Sequence, residues 1–118
     1  MRYRVMNLTR NTPLADQAAR AESFMERFKG LMGVQDLPVG HALHIAPCNS
    51  IHTFFMKIPI DAVFLDAAEQ VVEICHAMPP WRMSKVFWGA KSVLELPAGT
   101  AAASQTKAGD RLSFETAS

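Results

Sequence analysis

Short apolar runs, separated by polar, proline and glycine positions, recur along most of the chain and predict β-strands. Each run is four to six residues long, and Pro, Gly, Asp or Asn residues, which favour turns, lie between the runs. The predicted strands are Tyr3 to Leu8, Ala42 to Ala46, Ile51 to Met56, Ile60 to Leu65, Val71 to Cys75, Ser92 to Leu96 and Arg111 to Phe114. The six runs from residue 42 onward imply a sheet that folds over itself.

The two runs at Ile60 to Leu65 and Val71 to Cys75 differ from the others because apolar residues occupy both of their faces. Such strands are covered on both sides, so we expect both to be central. The five residues between them allow an antiparallel hairpin.

Helical signals are few. Ser23 is followed three residues later by Glu26, which is a capping box and places a helix start at Ser23. From Phe24 the apolar positions follow helical spacing as far as Gly33, a fitting stop. Because a helix starts at Ser23, the Ala-rich segment Leu14–Ala21 is a separate element, which we predict to be extended. Residues Thr100 to Lys107 could form one further helical turn.

Together these patterns predict a mainly β fold: an antiparallel, jelly-roll-like sandwich or barrel with one or two short helices. No linker, repeat or low-complexity tract interrupts the 118 residues, so we expect a single domain, 1–118. Hydrophobic residues make up 49% of the chain and charged residues 19%, a composition that excludes a disordered chain.

Charge and cysteine content narrow the function classes. The net charge is +1, so there is no global field to attract nucleic acid or anionic lipid, and we expect neither as a partner. No apolar stretch is long enough for a membrane span or the core of a signal peptide, and only two cysteines occur. We therefore expect a soluble, cytoplasmic protein in which Cys48 and Cys75 are free thiols.

All four histidines and both cysteines lie between residues 41 and 76. They are His41, His44, Cys48, His52, Cys75 and His76. Zinc sites show tight ligand pairs that are missing here, so we expect no metal and no other cofactor. A copper(I) site that includes Met56 and a reactive Cys48–His52 pair stay open as alternatives.

Several polar side chains interrupt apolar runs where a simple core would not need them. Asp61 and Glu95 each lie between apolar neighbours on a predicted strand, and a buried carboxylate must be paired or its pKa rises. His52 is either a satisfied core residue or the polar floor of a pocket. The candidate ligand-binding residues are His52, Met56, Lys57, Asp61, Glu95 and Arg27. No hydrolase nucleophile motif or phosphate loop is present, so the pattern assigns no catalytic residue.

Four elements of the chain, in this order and spacing, resemble a known family. They are the R-x-x-G-L-M motif from Arg27, the H-x-x-x-M motif from His52, the P-x-D motif from Pro59 and the L-E-x-P-A-G motif from Leu94. The chain resembles the prokaryotic family called domain of unknown function 192 over nearly its whole length. The resemblance implies a mainly β, jelly-roll-like fold and no established activity. Many relatives carry a longer segment before the P-x-D motif than the Met56–Pro59 segment of this chain.

Two functional hypotheses follow. The first is a β domain that binds a small polar molecule at the candidate residues, with the turn of residues 27–33 nearby. The second is a non-catalytic accessory protein that binds a macromolecule through the Trp81–Trp88 loop. A concave polar pocket favours the first, and an exposed aromatic patch favours the second.

Overall fold

The computed structural model describes residues 2–117 and contains seven strands and two short helices. In chain order these are β1 (Arg2–Asn7), β2 (Thr12–Ala21), α1 (Phe24–Lys29), β3 (His41–Ile45), β4 (Ile60–Leu65), β5 (Val71–Met78), β6 (Ser92–Pro97), α2 (Thr100–Ala103) and β7 (Leu112–Ala117). The mainly β class is confirmed. The capping box at Ser23 and the extended conformation of Leu14–Ala21 are confirmed as well.

All seven strands belong to one sheet, in the order β5-β4-β6-β3-β2-β1-β7. The pairs are antiparallel except β2 with β3, which are parallel. The expectation of a fully antiparallel sheet is therefore wrong at this pair. The connection from β2 to β3 runs through α1, so β3 lies beside β2 and runs in the same direction. A single curled, mixed sheet in the form of a half-barrel takes the place of two stacked sheets.

The curl brings the two edge strands together at one end. Gln70 and Arg111 form an isolated antiparallel bridge. The Val71 amide donates to the Asp110 carbonyl at 2.7 Å, and the Leu112 amide donates to the Glu69 carbonyl at 2.9 Å. These bonds nearly close the sheet, because they connect the segment that leads into β5 with the segment that leads into β7.

The apolar residues form two clusters, one on each face of the sheet. The first contains side chains from all seven strands and therefore fills the inside of the curl; it includes Val5, Ala18, Ala42, Val63, Val71, Leu94 and Leu112. The second lies on the outer face of β3, β4 and β6 and is covered by the segments that follow α1, β3 and β5; it includes Leu31, Ile45, Met56, Phe64, Ala90 and Val93.

Three local predictions are wrong. Val71 to Cys75 is not central, because β5 is an edge strand with six of its eight positions partly or fully exposed. Ile51 to Met56 is not a strand: only His52 forms a bridge, with Met83, and Phe55 adopts a positive φ of 63°. The α1 helix ends at Lys29, ahead of the predicted stop at Gly33, because Gly30 caps it with a positive φ.

Candidate functional site

A small pocket of about 60 Å³ lies on the outer face of the sheet, between the end of α1 and the segment 48–52. Its wall combines apolar side chains with three of the polar residues predicted from the sequence. The lining residues are Arg27, Phe28, Lys29, Gly30, Leu31, Ile45, Cys48, Ser50, Ile51, His52 and Glu95.

Glu95 is the buried acid of this pocket. On β6 it pairs with Leu43 of β3 and Ala62 of β4, which places its side chain on the outer face. The residue is 2% exposed, and among the described residues its Oε1 atom has no hydrogen-bond partner. Burial raises the pKa of Glu95 from 4.5 to about 8, so the carboxyl group is mostly protonated at neutral pH.

Gly30 covers this carboxyl group. A Cβ added to Gly30 would lie 3.5 Å from Glu95 Oε1, and the φ of Gly30 is +49°, a conformation that side chains rarely adopt. The positive φ therefore favours glycine at residue 30, whereas an added Cβ would make only an ordinary van der Waals contact with the acid.

Arg27 reaches the pocket from the last turn of α1. Its Nη1 atom donates to the Glu22 carbonyl, which anchors the side chain beside the helix start. The helix itself is held by the capping box, in which Ser23 Oγ accepts from the Glu26 amide at 3.0 Å and Glu26 Oε1 accepts from the Ser23 amide at 3.1 Å. The capping box thus positions the residues that form this side of the pocket.

His52 lies between two aromatic rings. Its ring centroid is 5.8 Å from that of Phe28 and 5.2 Å from that of Phe54. The Nδ1 atom accepts the Phe54 amide at 3.1 Å, so in the neutral ring the hydrogen resides on Nε2. His52 is therefore fixed as a donor through Nε2.

Cys48 also lines the pocket, but as a protonated thiol. Burial is the main cause that raises its pKa, and the Glu95 charge adds to the effect, while a backbone hydrogen bond with Ser50 and the Arg27 charge act against it. Its Sγ atom donates to the Ser50 carbonyl at 2.9 Å. Because the thiolate is the reactive form, this environment does not favour the nucleophilic Cys48–His52 pair.

The other three candidate residues lie elsewhere. Met56 is buried in the outer apolar cluster, and Lys57 is exposed. Asp61 is 1% exposed, and its two oxygens accept backbone amides from Ala77, Gly99 and Ala101. The structure thus brings together Arg27, His52 and Glu95 but separates them from Met56, Lys57 and Asp61.

A larger cleft of about 950 Å³ lies away from this pocket, between β1, β2 and the turn that leads into α2. Its wall is mostly apolar and includes Met6, Leu14, Val39, Pro97 and Ala103. Volume alone favours this cleft as a binding site. We select the smaller pocket because it alone contains a buried acid without a partner among the described residues, together with groups whose chemistry converges on that acid. The sequence pattern gave no signal for the larger cleft.

The Trp81–Trp88 loop exposes large apolar side chains. Trp88 is 82% exposed, and Trp81, Met83 and Val86 are exposed as well. The Trp81 ring packs 4.7 Å from that of Phe55, which is also exposed. Trp81 and Phe55 thus form an aromatic surface beside the pocket, because Phe54 lies between Trp81 and His52.

The His and Cys residues are dispersed by the fold. His44 is buried inside the curl and stacks on Phe114 at 4.4 Å, whereas Cys48 and His52 line the outer pocket. Residues 2–117 hold no group of three or more His, Cys, Asp or Glu side chains arranged to bind a metal ion. No helix within the same residues is long and apolar enough to cross a membrane.

Fold and pocket together define a class of protein: a small, curled β-sheet domain with a protonated acid buried under a helix end. The chain belongs to the DUF192 family, described as Uncharacterized ACR, COG1430, which matches residues 6–114. This confirms the family indicated by the motifs.

Archaeal relatives match most of the chain. A UPF0127 protein of Thermococcus sibiricus is 34% identical over 117 residues, covering 94% of this chain and 74% of the relative. A UPF0127 protein of Pyrococcus furiosus is 30% identical over 115 residues, covering 93% of this chain and 97% of the relative. A crystal structure of a protein of unknown function from Novosphingobium aromaticivorans matches with a TM-score of 0.82 and 21% identity, over 94% of this chain and 82% of that chain. This last likeness shows a shared fold.

Proposed function

We propose that this protein binds a small polar molecule in the pocket formed by Arg27, His52 and Glu95. The observation that supports this proposal most directly is that the Glu95 carboxyl group is buried and its Oε1 atom has no hydrogen-bond partner among the described residues. An unpaired buried polar group destabilises a fold by about 1–3 kcal/mol, so its presence needs a compensating role. A ligand that hydrogen-bonds to the carboxyl group supplies one.

The test is native mass spectrometry on protein purified without an affinity tag. We expect a small molecule that is released on denaturation and that is lost from the Glu95→Leu variant, which removes the hydrogen-bonding group. Glu115→Gln is the control, because it changes an exposed acid on β7. If the wild type carries no molecule, or if Glu95→Leu retains it, the proposal is wrong.

The exposed aromatic surface supports a second function, that of an accessory protein that docks a macromolecule through Trp81 and Trp88. Exposed apolar side chains of this size are enriched at binding surfaces. Crosslinking should capture a protein that the Trp81→Ser, Trp88→Ser double variant fails to capture and that Glu95→Leu still captures. An unchanged set of crosslinked proteins in the double variant would exclude this function.

We further propose that the protein works in the reducing cytoplasm. Both Cys48 and Cys75 are free thiols, a state typical of reducing compartments. Thiol counting on denatured protein protected from air should give two, and a count of zero would contradict this location.

A further inference from the structure

We propose that the pocket takes the carboxylate group of a small organic acid, whose apolar body lies along the rings of Phe28, His52 and Phe54. This inference rests on the proposed function and names the chemical class of the ligand. Three properties of the pocket carry it: the charge of its wall, the hydrogen-bonding direction of its polar groups, and its size and apolar surroundings.

The wall of the pocket carries positive charge. Arg27 and Lys29 both line it, and Glu95 is the one acid among the described lining residues. Glu95 is protonated at neutral pH, since burial raises its pKa to about 8, and Cys48 is protonated as well because burial raises its pKa. Two cations without an ionised acid among the described lining residues favour an anionic ligand over an amine.

The side chains of Arg27, His52 and Glu95 each offer the pocket a hydrogen-bond donor. The guanidinium of Arg27 donates only, and one of its nitrogens is engaged with the Glu22 carbonyl. His52 has its free hydrogen on Nε2, because Nδ1 accepts the Phe54 amide. The protonated Glu95 adds an O–H donor. A carboxylate, which only accepts hydrogen bonds, complements this set, and hydrogen bonds to an ionised acceptor are the stronger kind.

Size and surroundings favour a carboxylate over a larger or more highly charged anion. The 60 Å³ volume corresponds to about two water molecules at roughly 30 Å³ each, which suits a carboxylate group alone. Leu31, Ile45 and Ile51 form apolar walls, and the desolvation of a dianion such as phosphate between them is costly.

The rest of the ligand must lie outside this small volume. The Phe28 ring is exposed, and the row of rings continues from His52 to Phe54 and then to Trp81, whose centroid is 6.2 Å from that of Phe54. An apolar or aromatic body can stack on this row while its carboxylate enters the pocket.

Four probes with the same aromatic body separate the ligand classes: phenylacetate, phenylacetamide, phenethylamine and phenylphosphonate. Binding is followed through the backbone amides of Gly30 and Leu31 by NMR titration. At pH 6.5 we expect phenylacetate to bind at least about tenfold more tightly than each of the other three, in line with charge-assisted hydrogen bonds. Above pH 8 the affinity should fall by up to about tenfold per pH unit, because Glu95 loses the donated proton.

Variants identify the groups responsible. Glu95→Gln, whose amide cannot ionise, should remove the fall in affinity above pH 8. Arg27→Met should weaken phenylacetate binding by about tenfold, whereas Arg111→Met, which removes an exposed cation outside the pocket, should not.

The outcomes separate this inference from the proposed function. Tighter binding of the amine, the amide or the phosphonate overturns the carboxylate assignment and leaves the pocket a binding site. If none of the four probes shifts Gly30 and Leu31, the carboxylate assignment is also wrong, and the proposed function is then decided by the bound molecule in native mass spectrometry.

Discussion

Glu95 and Asp61 are buried carboxyl groups on neighbouring strands, and their partners give them opposite roles. Asp61 accepts three backbone amides, which satisfy its charge inside the protein. Glu95 Oε1 has no partner among the described residues, and the pKa of this acid rises to about 8. A satisfied carboxylate stabilises the fold, whereas an unsatisfied acid at a pocket is available to a ligand.

The raised pKa of Glu95 makes stability depend on pH. The unfolded chain releases this proton near pH 4.5 and the folded protein near pH 8, so the folded state holds the extra proton between those values. The free energy of unfolding therefore falls as pH rises through this range, by about 1.4 kcal/mol per unit at most.

The lowered pKa of His44 has the opposite effect on the free energy of unfolding in part of this pH range. Burial is the main cause that lowers its pKa from 6.5 to about 4, with the Arg20 charge adding to the effect. Its contribution to the free energy of unfolding is complete above pH 6.5 and is lost as the pH falls toward 4. The two effects oppose each other from pH 4.5 to 6.5, which leaves pH 6.5 to 8 as the window for Glu95.

The first prediction concerns this window. Glu95→Gln should remove most of the loss of stability between pH 6.5 and 8, because the amide does not ionise. Urea denaturation at both pH values measures the difference, and Glu115→Gln on the exposed face of β7 should behave like the wild type. An equal loss in Glu95→Gln and the wild type would show that Glu95 does not titrate in this range.

Residue patterns alone could identify Glu95, His52 and Arg27 as candidates but could not separate them from Asp61 and Lys57. An acid between apolar neighbours is unusual whether it stabilises the fold or lines a pocket. What separates Asp61 from Glu95 is the set of backbone amides that bond to Asp61 from distant parts of the chain. The sequence pattern also could not predict that Met56 is a core residue, because its neighbours in the outer cluster come from distant segments.

At the scale of the elements, Asp61 connects three of them. From β4, its Oδ1 accepts the Ala77 amide of β5 at 2.8 Å, and its Oδ2 accepts the amides of Gly99 and Ala101 at the start of α2, at 3.1 and 2.9 Å. Ala77 has a positive φ and lies where the β4–β5 register shifts. The carboxylate therefore stabilises an irregular part of β5 and the turn into α2 together.

The second prediction is that Asp61→Ala lowers the free energy of unfolding by about 1–3 kcal/mol, because it leaves buried backbone amides without an acceptor. Asp61→Asn, which retains one acceptor oxygen, should fall between the alanine variant and the wild type. Thermal or urea denaturation measures the loss, with the exposed Asp36→Ala expected within about 0.5 kcal/mol of the wild type. A midpoint for Asp61→Ala equal to that of the wild type would mean that these bonds contribute no net stability.

Elements with strong local signals were predictable, and elements set by distant contacts were not. The capping box fixed the start of α1. Apolar residues on both faces correctly predicted β4 to be central, but the same pattern failed for β5, which lies at the edge of the sheet. The run from Ile51 to Met56 has the composition of a strand. Its backbone groups instead bond to the 79–91 segment, as when the Thr53 amide donates to the Arg82 carbonyl and the Ser84 amide donates to the Ile51 carbonyl.

At the scale of the whole molecule, the first and last strands are held together by a polar network as well as by pairing. β1 pairs with β7 along its length. Asn7, which is fully buried, donates to Thr106 Oγ1 and Asp110 Oδ2 at 3.0 Å each, and its Oδ1 accepts the Arg10 amide at 3.0 Å. Arg10 also pairs with Asp110 at 3.1 Å. The network joins segments about a hundred residues apart in sequence.

The network around Asn7 predicts that unfolding is a single transition that involves both ends of the sheet. Asn7→Ala should lower the free energy of unfolding by about 1–3 kcal/mol, because Asp110 and Thr106 lose a donor and the Arg10 amide loses its acceptor. The slope of the denaturation curve should be unchanged, since the same surface becomes exposed.

Trp81 and Trp88 report on the 79–91 segment by fluorescence, and far-UV circular dichroism reports on the sheet, so the two signals should remain coincident in urea. Thr116→Ala, at an exposed position of β7, is the matched control and should leave the midpoint near that of the wild type. Two separate transitions in Asn7→Ala would show that the network holds β1 and β7 to a remainder that folds independently. A single transition at lower urea would establish that the curled sheet is one cooperative unit.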